Sequence, residues 1–411
     1  MKIQLKGKNE MIKIAILSHI PVSKGLSGKE KEISNIAKML NGKGTNVEIF
    51  SLSTANRTIK KDSYVEHEIK GSNYASRSKM SRIVDNLCML AFGTKPMLNK
   101  MNENPQLLRS LAHFDPDIII CGSFLLSRVL GKYLLTSGRK PKVISVFDSQ
   151  ASIYNYARAV GNVAGRENKI KAWAASKIAR SYIGFNLKLY AATLRLSDVH
   201  VVQTNKDRTE VINHFKDRKA RVVALPAQFY SAKKRRAKKS TNITNILFVG
   251  SYSYPPNREA MDKIERVIAP AMPDKNFIIG GGGCPIKRIS NVNYVGTIQN
   301  ISKAVNAADL CIAPLSNGSG IKFKMLDYFG ASKAVVGTSV AFDGYNVRNG
   351  YNAIVENEIE KYPDAIRALE ADAQKFALIQ RNSAKLTEDF KFDVLSAKWR
   401  RLVEDLSKQR G

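Results

Sequence analysis

SNGSGIKFKMLDYFGASKAVVGT, residues 316–338, reads as the end of a strand, a glycine-rich turn, a helix and the start of the next strand. The apolar run DLCIAPLS (309–316) leads into the turn, Gly318, Ser319 and Gly320 make it, and a helix is predicted over 321–331. AVVGTS (334–339) is the strand that follows. Short strands that are apolar throughout, separated by helices, are covered on both faces and so belong to a parallel sheet. Small residues ahead of a helix let backbone N–H groups approach a phosphate, and the helix dipole favours that anion. Lys322 and Lys324 stand at the same helix start, where a cation is unfavourable unless an anion faces it. The competing reading is a plain flexible turn with solvated lysines, Lys324 pairing with Asp327 at i,i+3.

Outward from this stretch the pattern repeats. NILFVGSY (245–252), KNFIIGGGG (275–283), VNYVGT (292–297) and NAIVE (352–356) are further strands of the second half, with a helix over 257–269. The first half offers IKIAILSHI (12–20), NVEIFSL (46–52), DIIICGSF (117–124), KVISVFD (142–148), DVHVVQT (198–204) and RVVALP (221–226). Ser27 and Glu30 stand at capping-box spacing ahead of its first helix. Between the halves SAKKRRAKKST (231–241) carries six basic residues in eleven and no acid, a solvated run suited to a linker. The expected architecture is α/β. A first doubly wound domain spans 11–228, a basic linker 229–243 and a second such domain 244–391. A terminal helix over 392–411 follows. Leu395, Trp399, Leu402, Val403 and Leu406 share one face of that helix, which could pack back on the first domain.

The chain has 411 residues, 44% apolar and 25% charged, which fits two globular domains and excludes a fibrous or wholly disordered protein. Lys+Arg 66 against Asp+Glu 35 leaves +31, so a polyanionic partner or surface is expected. Cys88, Cys121, Cys284 and Cys311 form no CxxC pair, and the five histidines show no ligand spacing. No protein-held metal and no cofactor are therefore expected, and a reducing, cytoplasmic compartment fits. No apolar run reaches the roughly 18 residues of a membrane span. The opening MKIQLKGKNEMIKIAILSHIPV does not read as a secretory leader, and residues 1–10 read as a polar extension with Met11 as an alternative start. GLSGKE (25–30) lacks P-loop spacing, GGGG (280–283) is a strand-end turn, and no Gly-x-Ser-x-Gly elbow is present.

The stretch 316–338 resembles the donor-binding segment of family 4 glycosyltransferases, the glycosyl transferases of group 1. FVGSYSYPPNREA (248–260) is similar to the opening of the same donor domain, and NVNYVGTIQNISKAVNAADLCIAPL (291–315) to its middle. LKLYAATLRLSDVHVVQTNKDRTEVI (187–212) resembles the close of the family's acceptor domain, so the likeness runs in order over roughly residues 12–405. It implies the GT-B fold, two Rossmann-like doubly wound domains facing a central cleft, with a nucleotide-diphosphate sugar held by the second. On that resemblance Gly250 and Ser251 line the diphosphate, and Val295 and Gly296 give backbone contacts to the base. Gly318 and Gly320 allow close approach of the sugar diphosphate, and Asp327 bonds the ribose hydroxyls. Lys324 and Lys322 act as catalytic cations that stabilise charge on the departing diphosphate, in place of a metal.

Two departures stand out. The family often carries two glutamates eight positions apart, where this chain has Ser319 and Asp327. It often places a histidine after the strand at 142–148, where this chain has Phe147 and Asp148. Asp148 suits an acceptor-side catalytic group or a helix N-cap. Gly25 and Gly28 suit close approach to the donor, or a simple loop.

The charge has a pattern of its own. Lys169, Lys171, Lys177, Arg180, Lys188 and Arg195 interleave with Trp173, Ile178, Tyr182, Ile183, Leu187 and Tyr190, and no acid falls between Glu167 and Asp198. Upstream, Arg77, Lys79 and Arg82 precede the apolar stripe Met80, Ile83, Val84, Leu87 and Ala91. Such helices suit an anionic membrane surface, or pack against their own domain with the lysines solvated. The expected protein is a retaining, metal-independent hexosyltransferase, peripheral at the cytoplasmic face of the membrane. It moves a sugar to a glycan or lipid-linked acceptor in cell-surface polysaccharide or glycolipid synthesis. A nucleic-acid-binding protein is the rival class, disfavoured because no recognition fold is visible and the basic run lies in a linker. A sugar-nucleotide epimerase or a sugar-nucleotide-binding pseudo-enzyme are alternatives on the same fold.

Overall fold

The computed structural model describes residues 11–23, 28–42, 44–71, 104–150, 152–154, 169–229, 242–318 and 320–409, with the side chains of the helix at Lys169 described from Arg180. The chain divides into two compact units, Met1–Gln228 with Asp393–Gly411, and Phe229–Phe392. The basic run 231–241 and the apolar stripe around Met80 lie outside the described residues.

The strands of unit 1 are β1 (Ile12–Ser18), β2 (Thr45–Ser53), β3 (Arg57–Lys61), β4 (Tyr64–Lys70), β5 (Ile118–Cys121), β6 (Lys142–Val146), β7 (Val199–Val202) and β8 (Arg221–Ala224). They form one sheet in the order β3-β4-β2-β1-β5-β6-β7-β8. Pairing is parallel from β4 to β8, with Ile14 beside both Val47 and Ile118, and only β3 runs antiparallel to β4. Among the described residues the helices are α1 (Gly28–Leu40), α2 (Pro105–Phe114), α3 (Ser127–Thr136), α4 (Lys169–Leu196) and α5 (Asn205–His214). Ile14, Ile16, Ile118 and Ile120 are wholly buried, as strands covered on both faces must be.

Unit 2 repeats the plan with β9 (Asn245–Val249), β10 (Asn276–Gly280), β11 (Ile286–Ile289), β12 (Val292–Val295), β13 (Leu310–Ala313), β14 (Val335–Gly337) and β15 (Ile354–Val355). Their order is β11-β12-β10-β9-β13-β14-β15, parallel throughout except for the β11–β12 pair. The helices are α6 (Pro255–Lys263), α7 (Ile301–Ala307), α8 (Phe323–Gly330), α9 (Tyr362–Ala371) and α10 (Ala373–Ser383). The helix expected over 257–269 is α6 followed by a wide π turn, Ile264–Ile268.

The terminal helix, α11 (Phe392–Lys408), packs on unit 1. Trp399 is fully buried and its indole donates to the Pro226 carbonyl at 2.9 Å. Ser396 and Arg400 donate to the Met39 carbonyl at the end of α1, at 2.7 and 2.9 Å. Among the described residues no helix is long and apolar enough to cross a membrane.

Candidate functional site

In each sheet the strand order reverses once, between β1 and β5 in unit 1 and between β9 and β13 in unit 2. Open parallel sheets take ligands outside the carboxyl ends of the strands at that switch point. In unit 2, Gly250, Ser251 and Lys324 come together at that point through Asn257.

β9 ends at Val249 and passes into Gly250, where a Cβ would stand 2.7 Å from the Asn257 side chain. Gly281, at φ +143°, follows β10, and a Cβ there would stand 2.2 Å from the Gly250 carbonyl oxygen. Two backbones are thus in direct contact, which only glycine permits. The Gly281 N–H donates to the Gly296 carbonyl at 3.0 Å, tying in the turn where Val295 is 38% exposed and Gly296 has φ +74°. Ser251 shares a 2.9 Å hydroxyl contact with Ser253, while its carbonyl accepts from Asn257 at 3.0 Å.

The turn after β13 is held from α6. Asn317 donates to Glu259 at 3.1 Å, and Lys263 bonds both Glu259, at 3.1 Å, and Ser316. Burial opposes the Glu259 charge, but Lys263, Asn317 and Ser316 outweigh it and hold the carboxyl below its usual range. Gly318 takes φ +146°, and a Cβ there would press on the Lys322 side chain at 3.2 Å. Helix α8 opens at Phe323, two residues later than the sequence suggests, and no side chain caps it. Its Tyr328 hydroxyl accepts the Val249 N–H at 2.8 Å, fixing α8 against the end of β9.

The two lysines differ in their partners. Lys322 donates to the Gly320 carbonyl at 2.9 Å and lies 3.7 Å from the Asp343 carboxylate. Lys324 is not ion-paired along its own helix. It reaches Asn257 Oδ1 at 2.8 Å, with its nitrogen 4.1 Å from the centre of the Phe248 ring. Among the described residues no carboxylate pairs with it. Burial, and then the nearby charge of Lys322, push the Lys324 ammonium down to about 7. An ammonium desolvated beside a neutral amide is stabilised when an oxyanion enters, so this cradle suits a diphosphate. Asp327 sits half-buried one turn further along α8, and its charge, after burial, helps raise the Tyr345 hydroxyl. Ser319 lies outside the described residues.

In unit 1, Asp148 follows β6 and accepts from Gln203 at 3.0 Å. Gln203 also donates to the buried Glu32 at 3.2 Å, whose other oxygen accepts from Lys29 at 2.7 Å. Lys29 donates as well to the Val146 carbonyl at 2.8 Å, so a polar chain spans the ends of β6 and β7 and the start of α1. Gly28 is the exposed first residue of α1, and Gly25 lies outside the described residues. Of the basic stretch in α4, Arg180 and Lys188 are exposed, while Leu189 and Tyr190 pack inward. Among the described residues no three His, Cys, Asp or Glu side chains gather as a metal-ligand set.

The sequence reading gave no role to Asn257, Gly281, Lys29, Glu32 or Gln203. Asn257 lies in the quoted donor-domain opening, but nothing local marks a partner 67 residues away. Gly281 reads as an ordinary turn glycine until the neighbouring backbone is in place.

Residues 243–372 match the family model of glycosyl transferases group 1. No curated protein matches the sequence. Among solved structures, the chain is similar to the sucrose-phosphate synthase of Thermosynechococcus elongatus. The TM-score is 0.70 and the identity 14%, with 96% of this chain and 99% of that one covered. It is similar also to the Anabaena HepE protein in complex with UDP-glucose, with TM-score 0.61, identity 12% and coverage of 96% and 100%. WaaG, a glycosyltransferase involved in lipopolysaccharide biosynthesis, matches at TM-score 0.61 and 12% identity, with 96% and 99% covered. The fold is the GT-B fold that the sequence resemblance implied.

Proposed function

We propose that the protein, a glycosyltransferase of group 1 type on the GT-B fold, moves a hexose from a nucleotide-diphosphate sugar to a glycan or lipid-linked acceptor. The observation that carries this reading is the Lys324 ammonium, desolvated and bonded to the neutral Asn257 amide, at the switch point of unit 2 beside the Gly250–Gly281 backbone contact. In the reaction the bond from the anomeric carbon to the β-phosphate oxygen breaks, and the acceptor hydroxyl oxygen bonds to the same face of that carbon. The electron pair stays on the diphosphate, where Lys324 and Lys322 stabilise the growing charge, and the hydroxyl proton leaves with the diphosphate. Transfer with retention, without a metal or cofactor, belongs to this proposal. So do the ribose contact of Asp327, the base contacts at Val295 and Gly296, and an acceptor-side role for Asp148. The HepE complex with UDP-glucose and the lipopolysaccharide role of WaaG support a nucleotide sugar and a glycan-type acceptor. The +31 charge supports action at an anionic membrane face in polysaccharide or glycolipid synthesis.

A melting-temperature screen of UDP-, GDP- and ADP-sugars tests the reading, because a ligand bound only by the native state raises the melting point. One nucleotide class is expected to stabilise the protein and to release its nucleoside diphosphate slowly on incubation. No stabilisation by any of the three would remove the donor site.

A further inference from the structure

We propose that Asn257 is a positioning residue of the donor site, whose amide holds the glycine loop after β9 and the donor lysine of α8 in one register. The inference rests on reading the cradle as a diphosphate site. Asn257 is 8% exposed and sits in the first turn of α6. Its Nδ2 donates to the Ser251 carbonyl at 3.0 Å and its Oδ1 accepts from Lys324 at 2.8 Å. The space it occupies exists because Gly250 has no Cβ, which would stand 2.7 Å from it. One short side chain thus joins the two segments whose spacing decides whether backbone N–H groups and ammonium reach the same diphosphate. A neutral amide also suits the task. It orients the ammonium without neutralising it, leaving the charge for the ligand, whereas a carboxylate would hold the lysine and repel the phosphates.

Among the described residues, charged groups approach Lys324 from its own helix and from α6. Lys322, in the approach to α8, is 3.7 Å from Asp343. Glu259 and Lys263 of α6 pair with each other at 3.1 Å. Asp327 lies further along α8, and the packed face of β9 offers the Phe248 ring. Among these, Asn257 is the polar group in contact with the Lys324 nitrogen.

The test is calorimetric titration with UDP, GDP and ADP, and with the matching nucleosides, between pH 6 and 9. It uses wild type, Asn257→Ala, the near-isosteric Asn257→Asp, Lys324→Ala and the double variant. In the wild type, affinity for the preferred diphosphate is expected to fall by up to about tenfold per pH unit once Lys324 loses its proton in the free protein. Asn257→Ala should weaken the diphosphate by about tenfold, spare the nucleoside, and cost less in the Lys324→Ala background, where only its hold on the glycine loop remains to be lost. Asn257→Asp should move the alkaline fall to higher pH, and Asn257→Ala to lower pH. A purely structural role would lower the melting temperature of the Asn257 variants and leave the position of that fall unchanged, which would overturn the proposal. Wild-type diphosphate affinity in Asn257→Ala, beside weakened binding in Lys324→Ala, would overturn it equally. Undiminished diphosphate binding in Lys324→Ala would instead overturn the reading of the site.

Discussion

At Gly281 an added Cβ would meet the Gly250 carbonyl oxygen at 2.2 Å, whereas at Gly283, two residues on, nothing lies within 4 Å. Both glycines have positive φ, +143° and +70°, so an alanine at either is strained, but only one also collides with backbone. Gly283→Ala is expected to cost about 1–2 kcal/mol for the left-handed conformation alone. Gly281→Ala should add about 1–3 kcal/mol for the forced separation of β9 and β10, and should weaken nucleotide binding with it. Urea titration of the two variants measures the difference, and equal losses would mean the contact is not rigid. At this scale the sequence was half legible. Gly318, Gly320, Lys322 and Lys324 were recognisable because they adjoin one another in a strand–turn–helix pattern. Asn257 and Gly281 were not, because each owes its role to a segment distant in the chain.

Among the elements, the buried strands were legible and the edges were not. Each apolar run of the first and second halves forms a strand, since continuous hydrophobicity has few other uses in a doubly wound sheet. The edge strands β3, RTIKK, and β11, IKRI, are charged and exposed and gave no such signal. β4 hid behind its own acids. Glu66 and Glu68 are buried in it, with Ser51 and Ser53 donating to them at 2.7 Å each, so a core strand reads as polar. The terminal helix was legible from its apolar face, and its energetics can be tested at Trp399. Trp399→Ala is expected to cost unit 1 about 3–5 kcal/mol, the range for emptying a large aromatic site. Hydrogen exchange of the β1 amides reads unit 1 alone, and should show protection lowered by at least about a hundredfold. Unchanged protection would mean that α11 is not part of that unit's fold.

Over the whole molecule, the two units share one strand order, extended by an extra strand at the end of the unit 1 sheet. The sequence shows the alternation of strands and helices, and the basic run marks where one half gives way to the other. Strand order itself is a long-range property, and it is what brings the ends of β9 and β13 together as a site. The net charge of +31 also belongs to this scale. If it serves an anionic membrane face, the protein should sediment with vesicles rich in anionic lipid and be released as salt screens the charge. Replacing Lys169, Lys171, Lys177 and Arg180 together by glutamine should abolish sedimentation while sparing donor binding. Tight duplex DNA binding at physiological salt, with indifference to vesicles, would instead favour a nucleic-acid partner.

The central claim is that unit 2 holds a nucleotide by its diphosphate, with Lys324 supplying the charge. The most direct measurement is calorimetric titration of a nucleoside diphosphate and its parent nucleoside into the wild type and Lys324→Ala. The diphosphate is expected to lose about 1.5–3 kcal/mol in the variant, as for a charge-assisted hydrogen bond, and the nucleoside to bind as before. Equal losses for both ligands, or none for either, would contradict the account.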